Sequence, residues 1–359
     1  MKRAMMPARN ILTFCVAALL AVSASAEAGQ ARGSVTVVDS LGRKVVVPER
    51  VGRIISLEPE VTRIIVALGA GERLVGVDFF LRTHDRLFPL VFPAAGRLPV
   101  VSNQGQELNY EEAVRLRPDI VFASPSEFRM TEAIERKMRV PVVALASMGR
   151  FQDLFSEIET LGRILGREGR AAELTAQLKD RLDAVERLVS SKPAEARPSV
   201  YLSFWGSLVR TPVSYEPVDA AGGRNAASGL LPDYLGTVGV TISIEKILLW
   251  DPEVILVQGN YPPAERRVTV ESILRDPRLA SLRAVRSGRV HYTFGFWYWW
   301  DPALVLVETL YLAHLLHPEE APDPDLVRVG DIIFKDFYGV EGVFGALCRL
   351  LECHEWTTR

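Results

Sequence analysis

The chain has 359 residues, 48% of them hydrophobic, with 42 basic against 44 acidic side chains and a formal net charge of -2. That length holds two domains of ordinary size, and the near-neutral charge gives no electrostatic footprint for nucleic acid. No stretch reaches the roughly 20 uncharged apolar residues that a membrane-spanning helix needs, and glycine and proline are spread evenly enough that no low-complexity region stands apart.

In chain order, Lys2, Arg3 and Arg9 precede an apolar run over 11–22 and the small-residue site Ala24-Ser25-Ala26. This pattern predicts a cleaved secretory signal over 1–26 and an exported, periplasmic mature chain. Strands follow at 53–57 (RIISL), 73–77 (RLVGV), 119–123 (DIVFA) and 140–145 (VPVVAL), with helices at 60–68 and Phe128–Met138. Alternating strands and helices predict a parallel sheet covered by helices, a first α/β lobe over 27–150. Over 151–192 the strand signal vanishes, and Leu174, Leu178, Leu182, Val185 and Leu188 form one apolar helical stripe, as in a long rigid helical connector. A second α/β lobe is expected over 193–340, with strands at 199–204, 253–257 and 289–293 and helices near 230–235, 244–249, 270–275 and Pro302–Leu316. Residues 341–359 read as a tail holding Cys348, Cys353 and His354. Five residues apart on one helix, the two cysteines would be about 7.5 Å apart along the axis, too far for a disulfide, and three ligands in a terminal segment are a weak metal signal.

The two halves echo each other. EEAVRLRPDIV over 111–121 aligns in register with EKILLWDPEVI over 245–255: a leading glutamate, a short helix, a proline turn, then an acid entering a strand. Two lobes built alike would place Glu111 and Glu245 at equivalent positions.

Four segments carry a family resemblance: VTVVDSLGRKVVVPERVGRIISLEPEVTRIIVALGAGERLVGV over 35–77, NYEEAVRLRPDIVFAS over 109–124, AGGRNAA over 221–227 and DPALVLVETLYLAHLLHP over 301–318. Together they resemble the solute-binding proteins of ABC importers for ferric siderophores, haem and vitamin B12. The resemblance implies two Rossmann-like α/β lobes with parallel sheets joined by one long rigid helix. It also implies that one outward glutamate per lobe, here Glu111 and Glu245, pairs with arginines of an inner-membrane permease served by an ATPase. One departure stands out, since the family often has Thr-Glu at the start of the first helix and this chain has Thr62-Arg63.

Ligand is expected between the lobes, in loops at the carboxyl ends of the strands. On the first lobe these loops carry Arg82 and His84. On the second they carry Trp205, Arg210, Tyr215, Arg224, Tyr261 and the run FGFWYWW over 294–300. That run puts Trp297, Tyr298, Trp299 and Trp300 side by side, where a strand that alternates faces rarely needs adjacent indoles, so it reads as the aromatic wall of the cleft. Arg82, Arg210 and Arg224 would clamp negative charge. His84, Tyr215, Tyr261 and Tyr298 are donors that a haem or metal could use, but no closely spaced His/Glu set appears, and neither a resident metal nor a cofactor is expected. The favoured ligand is therefore a metal already wrapped in a chelator, most simply a ferric siderophore. A corrinoid such as cobalamin, haem, and a molybdate or tungstate oxyanion are the alternatives within the family, and the protein is expected to act as a monomer. From another class, a secreted carbohydrate-active hydrolase could use Asp78 and Glu127 as a carboxylate pair, and an adhesion module could use the aromatic run to grip a partner. No G-x-S-x-G, HExxH or phosphate-binding glycine loop is present, and neither rival explains the paired glutamates.

Overall fold

The computed structural model describes residues 33–103, 107–125, 128–145, 150–189, 193, 196–233, 238–294, 301–321 and 325–352. The expected signal over 1–26 lies outside them. A two-stranded ribbon, β1 (Ser34–Val38) with β2 (Lys44–Pro48), comes first. The first sheet contains β3 (Ile54–Ser56), β4 (Leu74–Val77), β5 (Ile120–Ala123) and β6 (Val142–Ala144), in the order β4-β3-β5-β6 with parallel neighbours throughout. Its strands are almost continuously apolar because helices cover both faces. Ile54, Ile120 and Phe122 point into one core, while Ile55, Val121 and Ala123 point into a second core on the opposite face.

In the second half lie β7 (Ser199–Ser203), β8 (Arg210–Pro212), β9 (Arg224–Asn225), β10 (Gly239–Thr241), β11 (Val254–Gln258) and β12 (Val290–Thr293). Four of them form a parallel sheet in the order β12-β11-β7-β9, while β8 and β10 make an antiparallel ribbon. Numbered within its own sheet, each lobe has its second strand outside the first and its third and fourth on the other side. The repeat legible at 111–121 and 245–255 is thus a repeat of topology, down to a left-handed residue before each proline: Arg117 at φ 45° and Asp251 at φ 42°.

The connecting segment is a pair of helices, Phe151–Leu165 and Glu168–Val189. Gly166, at φ 63°, ends the first. The pair runs antiparallel: a Cβ on Gly162 would lie 2.5 Å from that of Ala171 beside the turn, and Lys179 Nζ sits 4.9 Å from the Phe155 ring centre about two turns further along. The second helix, 22 residues and so about 33 Å long, buries Leu174, Leu178, Leu182, Val185 and Val189. Its stripe ends at Val189, whereas the expected Leu188 is exposed.

Two further expectations change. No helix forms over the described part of 230–235, because Pro232 removes a donor there, Gly229 has φ 88° and Leu231 projects into solvent. Residues read as tail include a helix, Val343–Leu351, whose Phe344, Leu347, Cys348 and Leu351 are fully buried beside helix Leu326–Tyr338. Cys353 and His354 lie outside the described residues.

Candidate functional site

A cavity of about 620 Å³ is lined by residues of both lobes. Phe79, Phe80, His84 and Asn103 come from the first. Ser203, Trp205, Gly206, Val257, Gln258, Tyr261 and residues 265–268 come from the second. Ser203 and Gln258 are the last residues of β7 and β11, the adjacent strands at which the order of the second sheet reverses. Doubly wound sheets bind ligands at such a switch point, because the loops on either side of it diverge and leave a crevice.

The first-lobe wall is built from the end of β4. Asp78 caps helix Phe79–Thr83, its carboxylate accepting from Phe80 N at 2.8 Å and Leu81 N at 3.2 Å, while Ser102 Oγ accepts from Phe79 N at 2.8 Å. These bonds fix two phenylalanines side by side, and the His84 ring packs 6.0 Å and 5.4 Å from them. Burial pushes the Asp78 carboxyl up to about 7 although its amide bonds pull the other way.

The opposite wall begins with a tight turn. Ser207 N donates to Phe204 O, and both central residues have positive φ, 54° at Trp205 and 64° at Gly206, as a type I′ turn requires. Tryptophan is a costly choice at such a position, and its amide is held by Gln258 Oε1 at 2.5 Å. The indole stands against Phe204 and carries the Arg210 guanidinium 5.2 Å from its centre.

Charge in the cleft is uneven. Arg266 uses its guanidinium to fold its own loop, donating to the Tyr261 and Gly259 carbonyls at 3.0 and 3.3 Å and to the Leu351 carbonyl. Glu265 is bonded across the cleft to Arg86 of the first lobe at 2.9 Å. Arg267, which packs its stem over Gly206, has no ion-pair partner among the described residues. Among the described lining residues, one guanidinium is thus uncommitted beside the rings of Phe79, Phe80, His84, Trp205 and Tyr261. Burial holds the Tyr261 hydroxyl well above its ordinary range, so it meets a ligand as a neutral phenol.

Of the residues singled out from sequence, His84, Trp205 and Tyr261 line the cavity. Arg82 points away and donates to Gly96 O at 2.8 Å, Arg210 backs the Trp205 ring, and Arg224 is exposed on the edge strand β9. Tyr215 is buried in the second lobe, its hydroxyl engaged with Thr293 and Glu308. Trp297, Tyr298, Trp299 and Trp300 lie outside the described residues, as does Glu127. Phe79 and Phe80 fall in the loop 78–84 expected at the cleft but are not distinguished by sequence, and Gln258 and Arg267 lie outside every loop expected there. The signal for the last is the run of charge in PPAERR, directly after Tyr261. Among the described residues no cluster of three or more His, Cys, Asp or Glu side chains is placed to hold a metal ion.

Away from the cleft, Glu111 and Glu245 are exposed at matching first-turn positions of helices Tyr110–Arg115 and Ile244–Trp250. Asn109 Oδ1 caps one helix and Ser243 Oγ the other, each at 3.2 Å. Bonds from its own amide and the Ser243 hydroxyl hold the Glu245 carboxyl below its usual range, so it is charged near neutral pH.

The molybdate-binding protein MolA of Haemophilus influenzae is 26% identical over 362 residues, spanning 93% of this chain and 97% of its own. A vitamin B12-binding protein of Vibrio parahaemolyticus is 28% identical over 223 residues, 59% of this chain and 72% of its own. The structure of molybdate-bound MolA superposes with a TM-score of 0.72 at 22% identity, covering 86% of this chain and 98% of that one, and so shares the fold. Residues 54–294, well over half of the sequence, match the family model described as periplasmic binding protein, and the chain belongs to that family.

Proposed function

We propose that this chain is the substrate-binding component of an ABC importer, which captures a negatively charged metal chelate between its lobes and delivers it to an inner-membrane permease and its ATPase. The observation that carries this reading is the cavity at the switch point, lined by the rings of Phe79, Phe80, Trp205 and Tyr261 with Arg267 uncommitted among them. Its volume of about 620 Å³ falls in the range for organic ligands and far exceeds what a bare tetrahedral oxyanion fills. Aromatic faces give a flat or apolar ligand body its burial, and a guanidinium gives its anionic oxygens a fork of donors. A ferric siderophore has both features, and binding-protein family membership leaves no role for the hydrolase alternative. A second reading, a molybdate-type oxyanion, is favoured by the resemblance to MolA over nearly the whole chain.

Titration of the purified protein with a ferric catecholate, a ferric hydroxamate, haemin, cyanocobalamin and molybdate, followed by calorimetry, tests this directly. The proposal expects one-to-one binding at micromolar Kd or tighter for a ferric chelate and much weaker binding of molybdate. The reverse ranking moves the assignment to the second reading, and binding of none of the five overturns both.

A further inference from the structure

Gln258 ends the central strand β11 at the floor of the cleft and is 3% exposed. Its amide orientation is settled chemically, because Trp205 N needs an acceptor and receives Oε1. Nε2 is thereby turned the other way, and among the described residues that buried donor has no hydrogen-bond partner. A buried donor left unmade is a standing cost that folds normally avoid, and here it coincides with a second one, the left-handed Trp205. Both lie on the cavity lining, beside the uncommitted guanidinium of Arg267.

We infer that Gln258 Nε2 and the Arg267 guanidinium form a donor pair that reads acceptor oxygens on the ligand, with the Trp205–Gly206 turn as its cover. The inference rests on the binding role proposed above and narrows it to ligands that present anionic oxygen to the second lobe: catecholate, carboxylate, phosphate or oxyanion. Cationic ligands and ligands presenting only donors are excluded, because they would leave Nε2 unmade and face an unneutralised arginine. Strain at Trp205 fits the same role. Besides its own closing bond from Ser207 N to Phe204 O, the turn is tied through Trp205 N to the side chain whose other end awaits the ligand, so ligand contact and turn position act on the same amide.

The test uses whichever of the five probes the wild-type protein binds most tightly, with Gln258→Glu and Arg267→Met. Gln258→Glu keeps the oxygen that Trp205 requires and replaces the donor by a second acceptor, so affinity at pH 8 should fall roughly tenfold or more while the Trp205 environment in near-ultraviolet circular dichroism is retained. Arg267→Met, on an exposed loop and harmless to the fold, should weaken binding by about tenfold or more and flatten its dependence on salt. Wild-type affinity in Arg267→Met, or in a folded Gln258→Glu, overturns the inference while leaving the binding role intact. Failure of the wild-type protein to bind any probe overturns both together.

Discussion

Glu308 is enclosed beneath the end of β12, where its carboxylate accepts from Phe294 N at 3.0 Å and is bonded to the Thr293 and Tyr215 hydroxyls. Burial pushes it up to about 8 from an ordinary 4.5, with the bonds to Phe294 and Tyr215 offsetting only part of the shift. Between those two values the folded protein holds a proton that the unfolded chain has released, so stability falls as pH rises from about 4.5 to about 8. Glu58, raised to about 8 mainly by burial, adds to the same slope. Glu308→Gln should flatten thermal stability between pH 5 and 8 by at most about 1.4 kcal/mol per pH unit; an unchanged slope would show that the group is ionised in the fold. At this scale sequence was the poorest guide. Loop membership located Arg82, Arg210 and Arg224 near strand ends but carried no information on orientation, and Tyr215 looked like a cleft residue while serving as an internal prop for the strand that leads to residues 295–300. Gln258 was hidden because a strand-terminal glutamine has no distinctive local pattern.

The elements were far more legible. Short β-branched and aromatic runs bounded by Gly and Pro located every strand of the first sheet and β7, β11 and β12 of the second within a residue or two, since strands covered on both faces must be apolar nearly throughout, whereas the two-residue edge strand β9, Arg224–Asn225, has no such run and was expected as a loop. The helical hairpin looks like one connector in sequence because no strand signal interrupts 151–192 and the apolar stripe over 174–188 marks only its second helix, so the break at Gly166 leaves no trace in it. Gly162 makes the hairpin tight: Gly162→Val should destabilise by about 1–3 kcal/mol through overpacking on Ala171, measured by urea unfolding, whereas a neutral change would mean that the helices can part freely. The matched helices at 110–115 and 244–250 carry a second expectation. Replacing Glu111 and Glu245 together by Arg should abolish uptake in cells with ligand affinity within about twofold of wild type, because both residues are exposed and neither lines the cavity. Loss of affinity in that double variant would contradict a docking role.

Across the whole molecule, the lobes are tied by buried charge. Arg63, fully enclosed on the first helix where the family often has an acid, pairs with Asp85 of its own lobe and lies 3.2 Å from Asp301, which caps helix Pro302–Leu316 of the second lobe and accepts the Tyr338 hydroxyl. Removing the cation leaves two buried carboxylates without it, so Arg63→Met should cost about 3–5 kcal/mol in urea unfolding, and a loss below 1 kcal/mol would mean the ties are dispensable. With such a tie and a helix about 33 Å long between the sheets, ligand binding should leave the radius of gyration nearly unchanged. The departure at Arg63 was visible in sequence, but its meaning was not, because its partners lie 22 and 238 positions along the chain. The central claim is that the cleft carries an anionic metal chelate. Native mass spectrometry with elemental analysis of the protein isolated from its native cells measures this most directly: the account predicts one metal per chain together with an oxygen-rich organic chelator of defined mass, and recovery of an organic ligand without metal, or of a bare oxyanion, would contradict it.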